Sequence, residues 1–194
     1  MAAAALPSQF ATAQSALLQA SQADQATETL LRAGGVVIAF RHALAPGTFD
    51  PPQFRLGDCS TQRNLNDEGR AQAVRMGEWF RSRKLAPARV RSSPWCRCVD
   101  TATLAFSSAA ATEKWPALGS PRAGTEATNA AALAALRQAA RTVKPGQFEV
   151  WITHMFVLQD LAGVGTATGE GLVLGRAGST GGGGLEVLAR LQIA

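Results

Sequence analysis

Chemistry in this chain would centre on its two histidines. Each closes an apolar, strand-like run: residues 36–40 (Val-Val-Ile-Ala-Phe) lead into Arg41-His42, and residues 148–152 (Phe-Glu-Val-Trp-Ile) lead into Thr153-His154. In open α/β sheets ligands bind at strand ends of this kind, so imidazoles from two strands can meet in one pocket. A neutral imidazole can attack phosphorus, giving a phosphohistidine and dividing hydrolysis into two easier displacements. Arg41, beside the first histidine, offers a planar fork of donors to two phosphate oxygens and keeps its charge. A further strand-like segment, residues 90–93, ends at Pro94, and Arg97 lies at the start of the helix expected there, where phosphate binds well. Arg41, His42, Arg97 and His154 thus form a candidate cluster of two cations and two imidazoles.

Those residues meet only if the segments between them build a sheet with helices packed on it. Residues 25–33 read as a short amphipathic helix with Ala26, Leu30 and Leu31 on one side, ended by Gly34-Gly35 before the strand 36–40. Residues 43–65 carry Pro46, Gly47, Pro51, Pro52 and Gly57 and read as an ordered functional loop. Asn66 or Asp67 can cap a helix whose apolar positions are Ala71, Val74, Trp79 and Phe80. After Pro94 a helix should run through Thr101, Leu104 and Ala105, and another over residues 129–142 from an Asn cap. Pro145-Gly146 turns the chain into the second histidine strand, and residues 171–174 and 185–191 predict a hairpin around the glycines 181–184. Those glycines do not make a dinucleotide site, because no βαβ unit follows them. The alternation predicts an α/β fold: a single three-layer domain, its mostly parallel sheet flanked by helices on both faces.

Composition agrees with this. At 194 residues and 46% hydrophobic the chain fits one domain with a sizeable core. The 19 Lys plus Arg against 14 Asp plus Glu are scattered, with no basic block interleaved with aromatics, which argues against a nucleic-acid partner and suits an anionic ligand. No apolar run reaches the roughly 20 residues that cross a bilayer, so membrane insertion is not expected. Residues 1–25 are rich in Ala, Gln and Ser but lack the positive n-region and full apolar h-region of a signal peptide. They read as an N-terminal tail, either the start of an exported mature chain or a plain alanine-rich extension, with the domain over 26–194. Cys59 could pair with Cys96 or Cys98 in an exported chain; the alternative is three small buried hydrophobes. Cys96-Arg97-Cys98 is too tight for the usual zinc or redox spacing.

From about Gly35 onward the residues resemble the histidine phosphatase superfamily, also called phosphoglycerate mutase-like. Arg41-His42-Ala43 resembles its Arg-His-Gly signature, and residues 65–73 (Leu-Asn-Asp-Glu-Gly-Arg-Ala-Gln-Ala) resemble its Leu-x-x-x-Gly-x-x-Gln-Ala helix start. Ser93-Pro94-Trp95-Cys96-Arg97 with Thr101-Ala102 is similar to its Ser-Pro-x-x-Arg and Thr-Ala segment, and Thr153-His154 to its second histidine. Ala43 stands where glycine is commoner. The resemblance implies His42 as the nucleophile, with Arg41, Arg97 and a protonated His154 holding the phosphoryl oxygens in the transition state, and no metal or other cofactor.

Met155 follows the second histidine where one branch of the family places Asp, which disfavours the acid-phosphatase and phytase type. The other branch draws a Glu from the region between Arg97 and His154, where Glu113, Glu126 and Glu149 lie; Glu126 is the best candidate acid, with Asp58 a further one. Arg63 could reach a phosphate or a substrate carboxylate, or make a structural salt bridge. The loop 58–65 resembles that of small bacterial, often exported members, which implies a periplasmic or secreted location, a cytoplasmic one being the alternative. The reading is therefore a metal-independent phosphomonoesterase acting on a small phosphorylated substrate or a phosphoprotein. The alternatives are a phosphohistidine or phosphoprotein phosphatase without a general acid, and a non-catalytic member that binds a phosphorylated ligand.

Overall fold

Val36–Arg41 (β1) and Phe148–Thr153 (β4) are apolar along nearly their whole length, as strands covered on both faces must be, and they pair in parallel with Arg41 beside Thr153. The computed structural model, which describes residues 8–120, 129–176 and 185–193, sets these two strands at the centre of a six-stranded sheet. Arg89–Ser92 (β2) pairs in parallel with β4, and Thr112–Lys114 (β3) in parallel with β2. On the other side Glu170–Arg176 (β5) runs antiparallel to β1, and Leu185–Gln192 (β6) antiparallel to β5. The order is β3-β2-β4-β1-β5-β6, so β5 alone among the described strands opposes the common direction.

Strand alternation sorts the core into two layers. Val36, Ile38 and Phe40 face Ser8–Ala33 (α1), Asp67–Ser82 (α2) and Cys96–Phe106 (α3), packing with Leu31, Met76, Phe80 and Phe106. Val37, Ala39 and Trp151 face Ala130–Thr142 (α4) and Met155–Ala162 (α5), packing with Leu136, Ala140 and Leu158. The three-layer α/β domain expected from the sequence is the one observed.

Several elements differ from expectation. The helix predicted over 25–33 is the end of α1, which starts at Ser8 within the segment read as a tail; Ala- and Gln-rich sequence without Gly or Pro favours continuation. Asp24 ties this helix to α2 by accepting from Trp79 Nε1 and Arg83 Nη2, both at 3.1 Å. In α2 the expected apolar positions Ala71 and Val74 are exposed, and the buried face is Gly69, Ala73, Met76, Gly77, Trp79 and Phe80. Two glycines set that face: a Cβ on Gly69 would lie 2.0 Å from the Leu44 carbonyl oxygen, and one on Gly77 would lie 2.2 Å from that of Ala105. The three-residue β3 carries no apolar alternation, so nothing in the sequence marks it as a strand. The two arms of the C-terminal hairpin pair as expected, with a register shift between Val173 and Leu174; glycines 181–184 lie outside the described residues.

The long connection 43–65 folds back on itself over a small core of Ala43, Ala45, Leu65 and Ala73. Arg63 braces it, Nη1 donating to the carbonyls of Ala45, Pro46 and Gly47. A disulfide joins Cys59 to Cys96 across 37 residues, leaving Cys98 free and buried. Closing a loop of that length restricts the unfolded chain and contributes about 2–4 kcal/mol. Reduction, verified by thiol titration, should lower the thermal unfolding midpoint by roughly 4–16 °C. An unchanged midpoint in the reduced protein would show that the bond contributes no net stability.

Candidate functional site

β1, β2 and β4 are adjacent and parallel, so their C-terminal ends share one edge of the sheet. His42 follows β1 and donates its backbone N–H to the Thr153 carbonyl at 3.0 Å; Ser93 follows β2, and His154 follows β4. Arg97 occupies the first turn of α3, directly after Ser93 and Pro94. The sequence motifs fix these junctions to one another. Thr101 Oγ1 accepts from the Ala43 N–H at 3.1 Å and donates to the Arg97 carbonyl at 2.7 Å, tying the residue after the first histidine to the arginine helix. Gln72 Oε1 accepts from the Leu44 N–H at 3.0 Å while its Nε2 donates to the Thr168 carbonyl at 3.1 Å. Gly69 lets α2 pass against Leu44.

The hydrogen bonds determine both tautomers, because arginine only donates and a carbonyl only accepts. His42 Nδ1 lies 2.7 Å from the Ala43 carbonyl oxygen and so carries the proton; its Nε2 lone pair accepts from Arg97 Nε at 3.1 Å. His154 Nδ1 faces Arg97 Nη2 at 3.4 Å and is the bare nitrogen, so Nε2 holds the proton and donates to Ser93 Oγ at 2.8 Å. The two imidazole centroids are 5.5 Å apart. The remaining edge of the guanidinium, Nη1, donates to Asp50 Oδ1 and Oδ2 at 2.8 and 3.1 Å. Arg41 Nη1 donates to the Thr166 carbonyl at 2.9 Å, while its buried Nε has no partner among the described residues.

Burial and positive charge keep the imidazoles neutral. His42 is 3% exposed, and desolvation followed by the nearby Arg97 guanidinium pulls its pKa down to about 3. His154, equally buried, is held well below its ordinary value by desolvation, His42 and Arg97 in that order. With His42 and three arginines acting on it, a further positive charge on His154 is unfavourable in the ligand-free site. Burial also pushes the Cys98 thiol up to about 12, which keeps it unreactive.

Arg41, His42, Arg97 and His154, named from the sequence, are brought together. Arg63 lies close enough to lower the pKa of both histidines, although its Nη1 is engaged with loop carbonyls. Glu126 lies outside the described residues. The other acids considered from the sequence are engaged elsewhere: Glu113 and Glu149 with Arg89 and Arg91, and Asp58 with Arg55. Sequence reasoning missed Asp50, the one carboxylate hydrogen-bonded to the cluster among the described residues. Its only signal was an acid flanked by turn residues within a loop already marked as functional. Among the described residues no group of three or more His, Cys, Asp or Glu side chains is placed to hold a metal ion, and no helix is long and apolar enough to cross a membrane.

A family model described as the histidine phosphatase superfamily, branch 1, matches residues 38–145, more than half of the chain. Among solved structures, the protein histidine phosphatase SixA complexed with tungstate is 18% identical, with a TM-score of 0.56 over 81% of this chain and 96% of that one. A mycobacterial glucosyl-3-phosphoglycerate phosphatase in complex with VO3 is 16% identical, with a TM-score of 0.54 over 72% and 92%. Phosphoglycerate mutase from Thermus thermophilus is 17% identical, with a TM-score of 0.54 over 82% and 99%. These similarities share the fold. No curated protein sequence matches the chain.

The lowered histidine pKa values link stability to pH. Between His42's folded value of about 3 and its ordinary value of 6.5 the unfolded chain binds more protons, so stability is full above 6.5 and falls as pH drops through that window. One such histidine contributes a slope of about 1.4 kcal/mol per pH unit. Urea unfolding between pH 4 and 7 should give a shallower dependence for His42→Asn than for wild type by up to that amount. Identical slopes would mean that His42 titrates normally in the folded protein.

Proposed function

Because the chain belongs to branch 1 of the histidine phosphatase superfamily, we propose that it is a metal-independent phosphomonoesterase working through a phosphohistidine on His42. The observation that carries this reading is the state of His42: its Nδ1 proton is fixed on the Ala43 carbonyl, and its Nε2 lone pair accepts from Arg97 Nε with the charges of Arg41 and Arg63 near enough to act on the ring. A histidine built only for structure has no need of that lone pair among three arginines. The unpartnered Arg41 Nε supplies a further donor whose acceptor a phosphoryl oxygen would be.

An arriving phosphate monoester competes for the Arg97 Nε and Nη2 protons, and as these turn to phosphoryl oxygens the His42 lone pair is released. Nε2 then attacks phosphorus in line, an N–P bond forms, and the bond from phosphorus to the leaving oxygen breaks. Arg41 and Arg97 hold the equatorial oxygens as charge shifts, and Glu126 is the proposed donor of a proton to the leaving oxygen. Water attacks the phosphohistidine in the second displacement, releasing phosphate and restoring the lone pair. The neutral His154 takes up a proton when the anion binds, either from a monoanionic substrate or from solvent, because the new negative charge offsets the arginines that disfavoured the imidazolium.

A small phosphorylated metabolite or a phosphoprotein would fit this chemistry. A second reading is a phosphohistidine or phosphoprotein substrate that needs no strong acid; it draws on Asp50, the one carboxylate bonded to the cluster among the described residues, being engaged with Arg97. The Cys59–Cys96 disulfide supports a periplasmic or secreted location, since such bonds persist in oxidising compartments.

Hydrolysis of p-nitrophenyl phosphate across pH 4–8 with EDTA present tests the mechanism. Wild type should turn over, and His42→Ala should lose about 1,000-fold or more. Removing Arg41 or His154 should cost about 100-fold each, the scale of a single transition-state donor. Turnover that survives His42→Ala would overturn the phosphohistidine mechanism.

A further inference from the structure

The loop 43–65 grips the start of α3 at consecutive residues. Phe54 stacks on Trp95 with ring centroids 5.4 Å apart; Gln62 Oε1 accepts from the Cys96 N–H at 3.0 Å; Cys59 is bonded to Cys96 itself; and Asp50 takes both hydrogen bonds from Arg97 Nη1. Asp50 is in turn fixed in the loop, accepting from the Arg63 N–H at 2.9 Å. Among the described residues the sheet does not hold Arg97 in this way: its guanidinium meets sheet-borne groups through the two imidazoles, the groups it is meant to serve.

We propose that Asp50 is a positioning residue for the reaction, holding the Nη1 end of Arg97 so that the Nε and Nη2 edge faces the histidines and the phosphoryl position between them. The proposal rests on the phosphoryl-transfer reading of the site. Three nitrogens with three different partners define the rotation of a planar group, and Asp50 supplies the one partner that a phosphoryl group need not replace. A free guanidinium could turn about its long side chain and present one donor in place of two. The carboxylate also neutralises a charge that is 3% exposed, without occupying the edge that binds substrate.

A double-mutant cycle decides this, with wild type, Asp50→Ala, Arg97→Ala and the double variant compared for kcat/KM on p-nitrophenyl phosphate and for affinity toward orthovanadate and inorganic phosphate. Arg97→Met replaces Arg97→Ala if the latter does not fold, and Asp50→Asn, which keeps one acceptor, should fall between wild type and Asp50→Ala. Asp50→Ala should lower kcat/KM about 10- to 100-fold, the cost of a misplaced catalytic group, with vanadate affinity falling in parallel and phosphate affinity falling less. In the Arg97-deleted background the same change should have less than about a twofold effect, since a residue that acts through Arg97 has nothing left to act on. Phosphate binding that tightens on removal of Asp50 would identify the carboxylate as an internal competitor and overturn the proposal. A full additional loss in the double variant would make Asp50's role independent of Arg97, with the same consequence. The anion affinities need no turnover, so failure of the phosphohistidine mechanism and failure of the Asp50 assignment are read separately. Absence of any anion binding to wild type would overturn both.

Discussion

A guanidinium cannot shed its proton to escape burial, so a site built around Arg97 must supply its compensation. Arg97 is 3% exposed, and each of its nitrogens has a partner: His42 Nε2, His154 Nδ1 and the Asp50 carboxylate. The rest of the site follows from satisfying this one cation. Two sheet strands bring neutral imidazoles with lone pairs turned toward it, and a loop brings the counter-charge. Removing either half would leave a buried charge with unmet donors, a penalty of several kcal/mol.

The same cation governs the histidines. It stands second after desolvation among the causes that lower His42, so that the imidazole is held neutral, its proton on Nδ1 and its Nε2 bare. Its lone pair nevertheless rests against the Arg97 Nε proton. An oxyanion can take over that hydrogen bond from His42, because it is a stronger acceptor than imidazole and carries charge. In the proposed mechanism, binding of the substrate and release of the His42 lone pair are thus a single exchange of hydrogen bonds. A neutral ligand of the same shape has no such leverage.

The central strands and the four clustered side chains were legible because their signals are local. Continuous apolar runs between Gly and Pro punctuation mark buried strands, and a His or Arg just past such a run falls at the sheet edge by topology. The helix motifs were legible as patterns, but their reasons are tertiary: Gly69 is small for Leu44, Gln72 bridges two loops, and Thr101 joins the backbone of Ala43 to that of Arg97. Asp50 could not be separated from Asp58 by composition, since both are acids among turn residues, and only the fold puts one against Arg97 and the other against Arg55. Exposed Val74 and the buried Gly69 and Gly77 show a helix face set by backbone approach, which apolar periodicity does not register.

The site therefore has two kinds of support. His42 and His154 are carried at the ends of neighbouring central strands, locked by the Thr153 carbonyl and by Ser93, and little can displace them short of unfolding the sheet. Arg97 is shared between that scaffold and a loop whose own order depends on Arg63, a small apolar cluster and the Cys59–Cys96 bond. Loops tolerate change that central strands do not. Alterations to the chain that retune the site without destroying it must then fall on the loop side, where Asp50, Phe54 and Gln62 reach residues 95–97, while the position of His42 stays fixed by the sheet.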